Sequence, residues 1–248
     1  MRVSVALTPA HLREPRAHAI AVVDVLRAST SLVTMFERGL LRAVIAANLR
    51  DARSLAVRNF SLLCGEVRSL PPAGFDFGNS PADLAVASFR GKSAVLMTTN
   101  GTRALHAASG APVVAAAALR NRRAAAARLH AEASKRGLDI AVVCAGQDRG
   151  NAFSLEDTAC AGAIVEALRD SDPALALGDD AWAALHLWRW YRGDAMRAFR
   201  QSAHGRALIA LGFERDLRYA AGLDRSDVVP VLRNEDGVLT LRTQKPRR

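Results

Sequence analysis

Short apolar runs alternate with amphipathic stretches up to about Asp170, and a polar turn joins each pair. Ile20, Val22 and Val23 have the β-branched density of a strand buried on both faces, whereas Leu32, Val33 and Phe36 recur at helical spacing beyond Ser29 and Thr30. Further strands are expected over residues 3–7, 43–46, 61–64, 93–97, 112–116 and 139–143. Helices are expected over 51–58, from Ser80, from the Ala104-Leu105 pair, over 121–136 and from Ser154. Ser80 as N-cap, Pro81 at the first helical position and Asp83 in the first turn make a strong helix start. Ser154 with Asp157 three residues on resembles a capping box.

Beyond Asp170 the texture changes. Helical stretches follow at 172–191, which carries Trp182, Trp188 and Trp190, and at 193–201, 205–211 and 214–221. Strands close the chain at 228–232 and 238–242, around a turn at 234–237. The pattern predicts an α/β fold: a layered α/β/α architecture with a mainly parallel sheet and a helical C-terminal addition. One domain is expected over 1–248, its sheet core at about 1–170 and the helical addition with a terminal hairpin at about 171–248.

Composition narrows this picture only at its edges. A hydrophobic fraction of 50% in 248 residues supplies an ample core. No apolar run reaches the roughly 18–20 residues of a membrane span, so no membrane partner is expected. The start, MRVSVALTPAHLREP, reads as a first strand rather than a signal peptide, and a cytoplasmic location follows as the default. Cys64, Cys144 and Cys160 are too few and too scattered for a disulfide framework and are read as buried thiols. The net charge of +10 is spread along the chain, ends on Lys245-Pro246-Arg247-Arg248, and comes almost wholly from arginine. With few aromatics and no recognised module, nucleic acid is not expected as a partner, and the charge favours anionic substrates instead.

The candidate chemistry gathers at strand ends, where an open α/β sheet binds its ligands. Asp24 stands where the strand of Ile20 to Val23 ends, followed by Arg27 and the hydroxyls of Ser29, Thr30 and Ser31. Glu66 follows Gly65 at the end of another strand, and Glu156 and Asp157 open a helix. Mg²⁺ takes a few carboxylates with water and substrate oxygens, so these acids form a candidate site for it, alongside the plain alternative of caps and salt bridges. The turn Thr98-Thr99-Asn100-Gly101-Thr102-Arg103 runs from strand to helix and serves equally as an anion cradle or as a cap. Two familiar phosphatase signatures fail: Asp24-Val25-Leu26 is not Asp-x-Asp, and only four residues separate Cys144 from Arg149. The six histidines lack metal-ligand spacing, and His204 alone stands in a polar, turn-like setting where substrate contact is open to it.

Five ordered segments together resemble a known family. They are Val23-Asp24-Val25-Leu26-Arg27-Ala28-Ser29-Thr30-Ser31; Gly65-Glu66; Gly74-Phe75-Asp76-Phe77-Gly78-Asn79-Ser80-Pro81; Thr98-Thr99-Asn100-Gly101-Thr102-Arg103-Ala104-Leu105; and Cys144-Ala145-Gly146 with Glu156-Asp157-Thr158. In order and spacing they resemble the 2-phosphosulfolactate phosphatase family, the ComB-like proteins, and the segments at 202–216 and Val229-Pro230 extend the likeness over almost the whole chain. The resemblance implies an α/β fold peculiar to that family and Mg²⁺-dependent conversion of 2-phosphosulfolactate to sulfolactate and phosphate, a step in coenzyme M synthesis. By motif it implies Asp24, Glu66 and Asp157 as metal ligands, with Asp24, Arg27, Glu66 and Asp157 as the catalytic set. It likewise implies Ser29, Asn79, Asn100, Gly101, Thr102 and Arg103 as substrate contacts. The implied partner is a small phosphorylated anion, and homo-oligomerisation stays open. One departure bears on substrate: family members often carry a basic residue directly after Gly-Glu, whereas this chain has Val67, with Arg68 next. The alternatives are a phosphatase for another small phosphorylated hydroxy acid and a non-catalytic anion-binding protein of the same fold.

Overall fold

A computed structural model describes residues 1–243, so the terminal Lys245-Pro246-Arg247-Arg248 lies outside the described residues. Ten strands form one sheet: β1 Arg2–Ala6, β2 His18–Val23, β3 Arg42–Ile45, β4 Leu62–Gly65, β5 Ser93–Met97, β6 Val113–Ala117, β7 Asp139–Cys144, β8 Ala176–Leu177, β9 Val231–Glu235 and β10 Val238–Arg242. The helices are α1 Ala28–Glu37, α2 Leu49–Asn59, α3 Pro81–Leu84, α4 Gly101–Ala108, α5 Arg122–Arg136, α6 Leu155–Ser171, α7 Asp179–Trp190, α8 Ala195–Gln201, α9 Ala203–Ala210 and α10 Glu214–Ala220.

The strand order is β4-β5-β3-β10-β9-β6-β2-β7-β1-β8. Two all-parallel blocks, β4-β5-β3 and β6-β2-β7-β1-β8, are joined by the antiparallel β9–β10 hairpin, which pairs with β3 on one side and β6 on the other. The hairpin therefore sits in the middle of the sheet and not at its margin. Asp236 and Gly237 both have positive φ, as a two-residue turn matched to strand twist requires. The expected strand at 228–232 begins later, at Val231, because Pro230 has no N–H to give the ladder and contributes only its carbonyl, to Ala116 N–H at 2.9 Å. The helix expected from 172 begins only at Asp179, because Ala176 and Leu177 pair with Arg2 and Val3 as a short edge strand.

Both faces of the sheet are covered. α1, α3 and α4 pack on one face, in a core with Ile20, Val22, Leu96, Val114, Val143 and Leu241. The opposite face carries α5 to α10 over Ala21, Ala115 and Val142, and α2 over Val44 and Val95. Residues Ala28 to Phe36 of α1 are all buried, and this explains its small hydroxylated character. Thr30 donates to Val25 O, Ser31 to Asn79 O and Thr34 to Thr30 O, so no buried hydroxyl of α1 is left without a partner.

Curvature of the sheet decides where the chemistry meets. Five interstrand steps separate β5 from β2 in the strand order, which on a flat sheet at about 4.8 Å each would span roughly 24 Å. Yet Gly101, just beyond β5, lies directly against the carboxylate of Asp24, just beyond β2. The two parallel blocks therefore curl toward each other around α1 and α4, and their C-terminal edges share one crevice.

Candidate active site

Four carboxylates converge at this edge, and the backbone holds three of them. Asp24 lies beneath the N-terminus of α1, where its Oδ1 accepts the Ala28 N–H at 3.1 Å. Ser29 Oγ donates to Asp24 O at 2.8 Å and accepts Asp24 N–H at 3.1 Å, which fixes the strand end that carries the acid. Glu66 accepts the Thr99 N–H on Oε1 at 2.6 Å and the Ser69 N–H on Oε2 at 2.8 Å. Asp157 takes the Val25 N–H on Oδ1 at 2.9 Å and the Gly146 N–H on Oδ2 at 3.2 Å, tying α6 to the ends of β2 and β7. Ser154 caps α6 through Asp157 N–H at 3.2 Å, but the Asp157 side chain turns inward, so the expected capping box closes on one side only. Glu156 is buried beside it, and its Oε2 has no hydrogen-bond partner.

Glycine permits two of these approaches. Gly65 has a φ of +141°, and a Cβ there would stand 1.9 Å from Met97 O. At Gly101 a Cβ would stand 2.7 Å from Asp24 Oδ2 and 2.6 Å from Ala28 Cβ. Neither position admits a side chain without displacing the strand end it serves.

The charges act on one another. Burial, with the negative charges of Glu66 and Glu156 adding to it, pushes the Asp24 carboxyl up to about 7, against the Ala28 N–H and the Arg27 charge. Asp157 is raised well above the usual carboxylate range by burial, then by Asp24 and Glu156, while the Val25 and Gly146 N–H groups oppose the shift. Cys144 is raised as well, by burial and by Asp157, and this is the buried, inert thiol expected at a strand end.

Arg27 borders the same acids. Its guanidinium donates to Asp216 Oδ2 at 2.8 Å and to Ser69 O at 2.6 Å, and it lies 4.5 Å from the centre of the Phe213 ring. Asp216 is fully buried, and its other oxygen accepts from Ser80 Oγ at 2.6 Å. One acid from α10 thus anchors both the arginine and the start of α3. His204 of α9 also reaches this neighbourhood; burial and the Arg27 charge hold it below the usual histidine range, against the pull of Glu156 and Glu66. Little in the sequence marks Asp216, which lies about 190 residues from Arg27 and whose one local signal is an acid followed by apolar Leu217 in a short helix.

The remaining sequence candidates divide by exposure. Thr102 is buried, its hydroxyl donating to Thr98 O and its N–H to Thr98 Oγ1, so both groups brace the turn. Asn79 is buried with Oδ1 unpartnered. Asn100 does not cap α4 with its side chain; its Oδ1 accepts the Arg149 N–H at 2.9 Å. Arg103 is exposed and, with Thr98 and Thr99, lines a cleft of about 560 Å³.

A cation fits this arrangement in one particular way. Among the described residues, no three His, Cys, Asp or Glu side chains form a ready-made metal cage. Mg²⁺ does not require one, since it commonly takes one or two carboxylates and completes its shell with water and substrate oxygens. Arg27 is already answered by Asp216, and among the described residues none of Asp24, Glu66, Glu156 and Asp157 forms an ion pair. The site thus gathers four buried carboxylates that raise one another's proton affinity and lack a cationic partner among the described residues, and the buried Glu156 Oε2 has no hydrogen-bond donor. A hard, oxygen-seeking cation would neutralise both.

Comparison with known proteins shows the family. The profile of a family described as 2-phosphosulpholactate phosphatase matches residues 6–235. A relative from Synechococcus sp. (strain CC9605) is 38% identical over 96% of this chain and 99% of its own length. One from Deinococcus radiodurans is 41% identical over 88% of each chain, and one from Synechococcus sp. (strain JA-2-3B'a(2-13)) is 42% identical over 84% of this chain and 86% of its own. All three carry the name probable 2-phosphosulfolactate phosphatase. The chain belongs to the 2-phosphosulfolactate phosphatase family.

Proposed function

We propose that this protein is a Mg²⁺-dependent phosphoric monoester hydrolase that converts 2-phosphosulfolactate to sulfolactate and inorganic phosphate, the reaction type of coenzyme M synthesis. The observation that carries the reading is the convergence of Asp24, Glu66, Glu156 and Asp157 on one crevice beside an arginine-lined cleft, in a chain of this family.

Asp24, Glu66 and Asp157 are the residues that would hold the ion. Bound there, Mg²⁺ would draw charge from the phosphoryl oxygens and orient the ester. Arg27 is locked by Asp216 and Ser69, and its remaining N–H donors hold a phosphoryl oxygen without reorganising as charge develops. Gly101 brings the first turn of α4 against Asp24, so the positive end of that helix faces the same anion. Glu156, with Oε2 free, takes the proton of the attacking water. Glu156, protonated in this way, gives that proton back to the leaving hydroxyl oxygen as the ester P–O bond breaks and the bond from phosphorus to the water oxygen forms, in a crevice that His204 borders.

A second reading, hydrolysis of another small phosphorylated hydroxy acid, is favoured by Val67, which stands where a basic residue would otherwise follow Glu66. Phosphate release from a panel of phosphorylated three-carbon acids, with Mg²⁺ and with EDTA, separates these readings. Release from 2-phosphosulfolactate that stops with EDTA supports the first. Preference for a panel member without the sulfonate supports the second, and release indifferent to EDTA contradicts the metal assignment.

A further inference from the structure

The cleft of about 560 Å³ beside the carboxylates lies within the roughly 300–1,000 Å³ range of small-molecule sites and holds more than a phosphoryl group. Its walls come from the starts of α2 and α4 and from the loops after β4 and β7, and they carry Arg50, Arg68, Arg103 and Arg149 against one acid, Asp148. Many arginines of this chain are paired: Arg27 with Asp216, Arg120 with Glu37, Arg122 with Asp224, Arg200 with Glu214 and Arg242 with Glu235. Among the described residues, none of the four cleft arginines has a carboxylate partner. Four like charges around one concavity repel one another, and an anionic occupant relieves that repulsion. Guanidinium forks suit oxyanions, which they grip through paired N–H donors.

The cleft shares a wall with the carboxylate crevice. Thr99 lines the cleft and holds Glu66 Oε1 by its N–H, while Arg149 lines the cleft and gives its N–H to Asn100 Oδ1. A substrate with its scissile phosphate at Asp24 would extend directly among these arginines.

We propose that Arg50, Arg68 and Arg149, with Arg103, form a subsite for a second oxyanion, a sulfonate or phosphate carried by the substrate apart from the phosphoryl group that is removed. This inference rests on the phosphatase reading and makes the cleft the selector of substrate. Position 68 follows naturally: Val67 leaves the location next to Glu66 without a base, and Arg68 supplies one from the cleft wall.

The test compares kcat/KM of the wild type and the Arg50→Gln/Arg149→Gln double variant on three esters in Mg²⁺. These are 2-phospholactate, which lacks a second tetrahedral oxyanion, 2-phosphosulfolactate, which adds a sulfonate, and 2,3-bisphosphoglycerate, which adds a phosphate. Arg50 and Arg149 are exposed, so the folded state is expected to survive both changes. The penalty on at least one of the two larger anions is expected to exceed that on 2-phospholactate by tenfold or more, and whichever ester shows it identifies the second group. Equal penalties on all three overturn the inference while leaving the phosphatase reading intact. If the wild type hydrolyses none of them, the phosphatase reading fails, and the subsite is judged by calorimetric titration of inorganic sulfate into both proteins. Binding at least tenfold weaker in the double variant then supports the subsite, and equal or undetectable binding in both overturns it.

Discussion

The carboxylate crevice and the arginine cleft share a wall and are built on opposite terms. Asp24, Glu66 and Asp157 are buried and held by backbone N–H groups, Asp24 by the first residue of α1 and the other two by loops at the strand ends. Arg50, Arg68, Arg103 and Arg149 are exposed, and among the described residues none of them has a carboxylate partner. The acids pay for their burial in raised proton affinity, visible at Asp24 and Asp157. The exposed arginines bear no such desolvation. A preorganised acidic end suits chemistry that is the same for every phosphate ester, and an adaptable basic rim suits recognition of the part of the substrate that varies.

The comparison breaks most severely at its acidic end. Asp24→Asn keeps the shape and removes the charge; phosphate release is expected to fall by about 10³-fold, a loss of the size seen when one transition-state contact is removed. Unchanged circular dichroism would locate that loss in the site and not in the fold. Full activity in this variant would mean that the crevice is structural.

A strong effect on stability is expected at the joint between sheet and C-terminal helices. Asp216→Ala leaves the Arg27 guanidinium buried without its partner, at a cost of about 3–5 kcal/mol in urea unfolding. A change below about 1 kcal/mol would show that this pair does not hold α10 to the sheet.

Proton linkage sharpens the contrast further. With EDTA present, Asp24 binds its proton more tightly in the folded state than in the unfolded chain. The folded state therefore gains nothing from Asp24 ionisation, and stability falls as pH rises from about 4 through about 7. Thermal unfolding across this window should show that decline in the wild type and a flatter profile in Asp24→Asn. Equal slopes would contradict the raised proton affinity that burial, with the Glu66 and Glu156 charges, gives Asp24. The smallest effect is expected at the basic rim, where raising salt screens exposed charges and should increase KM severalfold while kcat holds. A kcat that falls as steeply as KM rises would place those arginines in the chemistry instead.

Much of this was legible in the sequence because it is local. The run from Ile20 to Phe36 announces a buried strand, an acid at its end and a helix behind, and the structure places β2, Asp24 and α1 there. Ser80 and Ser154 cap helices as their spacing indicates. Neighbourhood was not legible. Alternation identifies residues 238–242 as a strand, yet nothing in it says that the hairpin lies between β3 and β6. Likewise, Glu156 and Asp157 are both first-turn acids, and the sequence favours Asp157 by its spacing from Ser154 and by motif. Only the folded arrangement gives Asp157 two backbone donors and leaves Glu156 Oε2 with none. The polar, turn-like setting of His204 marks it locally as open to substrate contact, but Asp216 reaches the site through packing across most of the chain, which no local pattern encodes.

The central claim is that the buried acids form one cation site. Calorimetric titration of Mg²⁺, in the presence of inorganic phosphate, into the wild type, Asp24→Asn and a Cys144→Ser control tests it most directly. One site per chain is expected, weakened at least tenfold in Asp24→Asn and within about twofold of the wild type in the control. Equal Mg²⁺ affinity in the wild type and Asp24→Asn would contradict it.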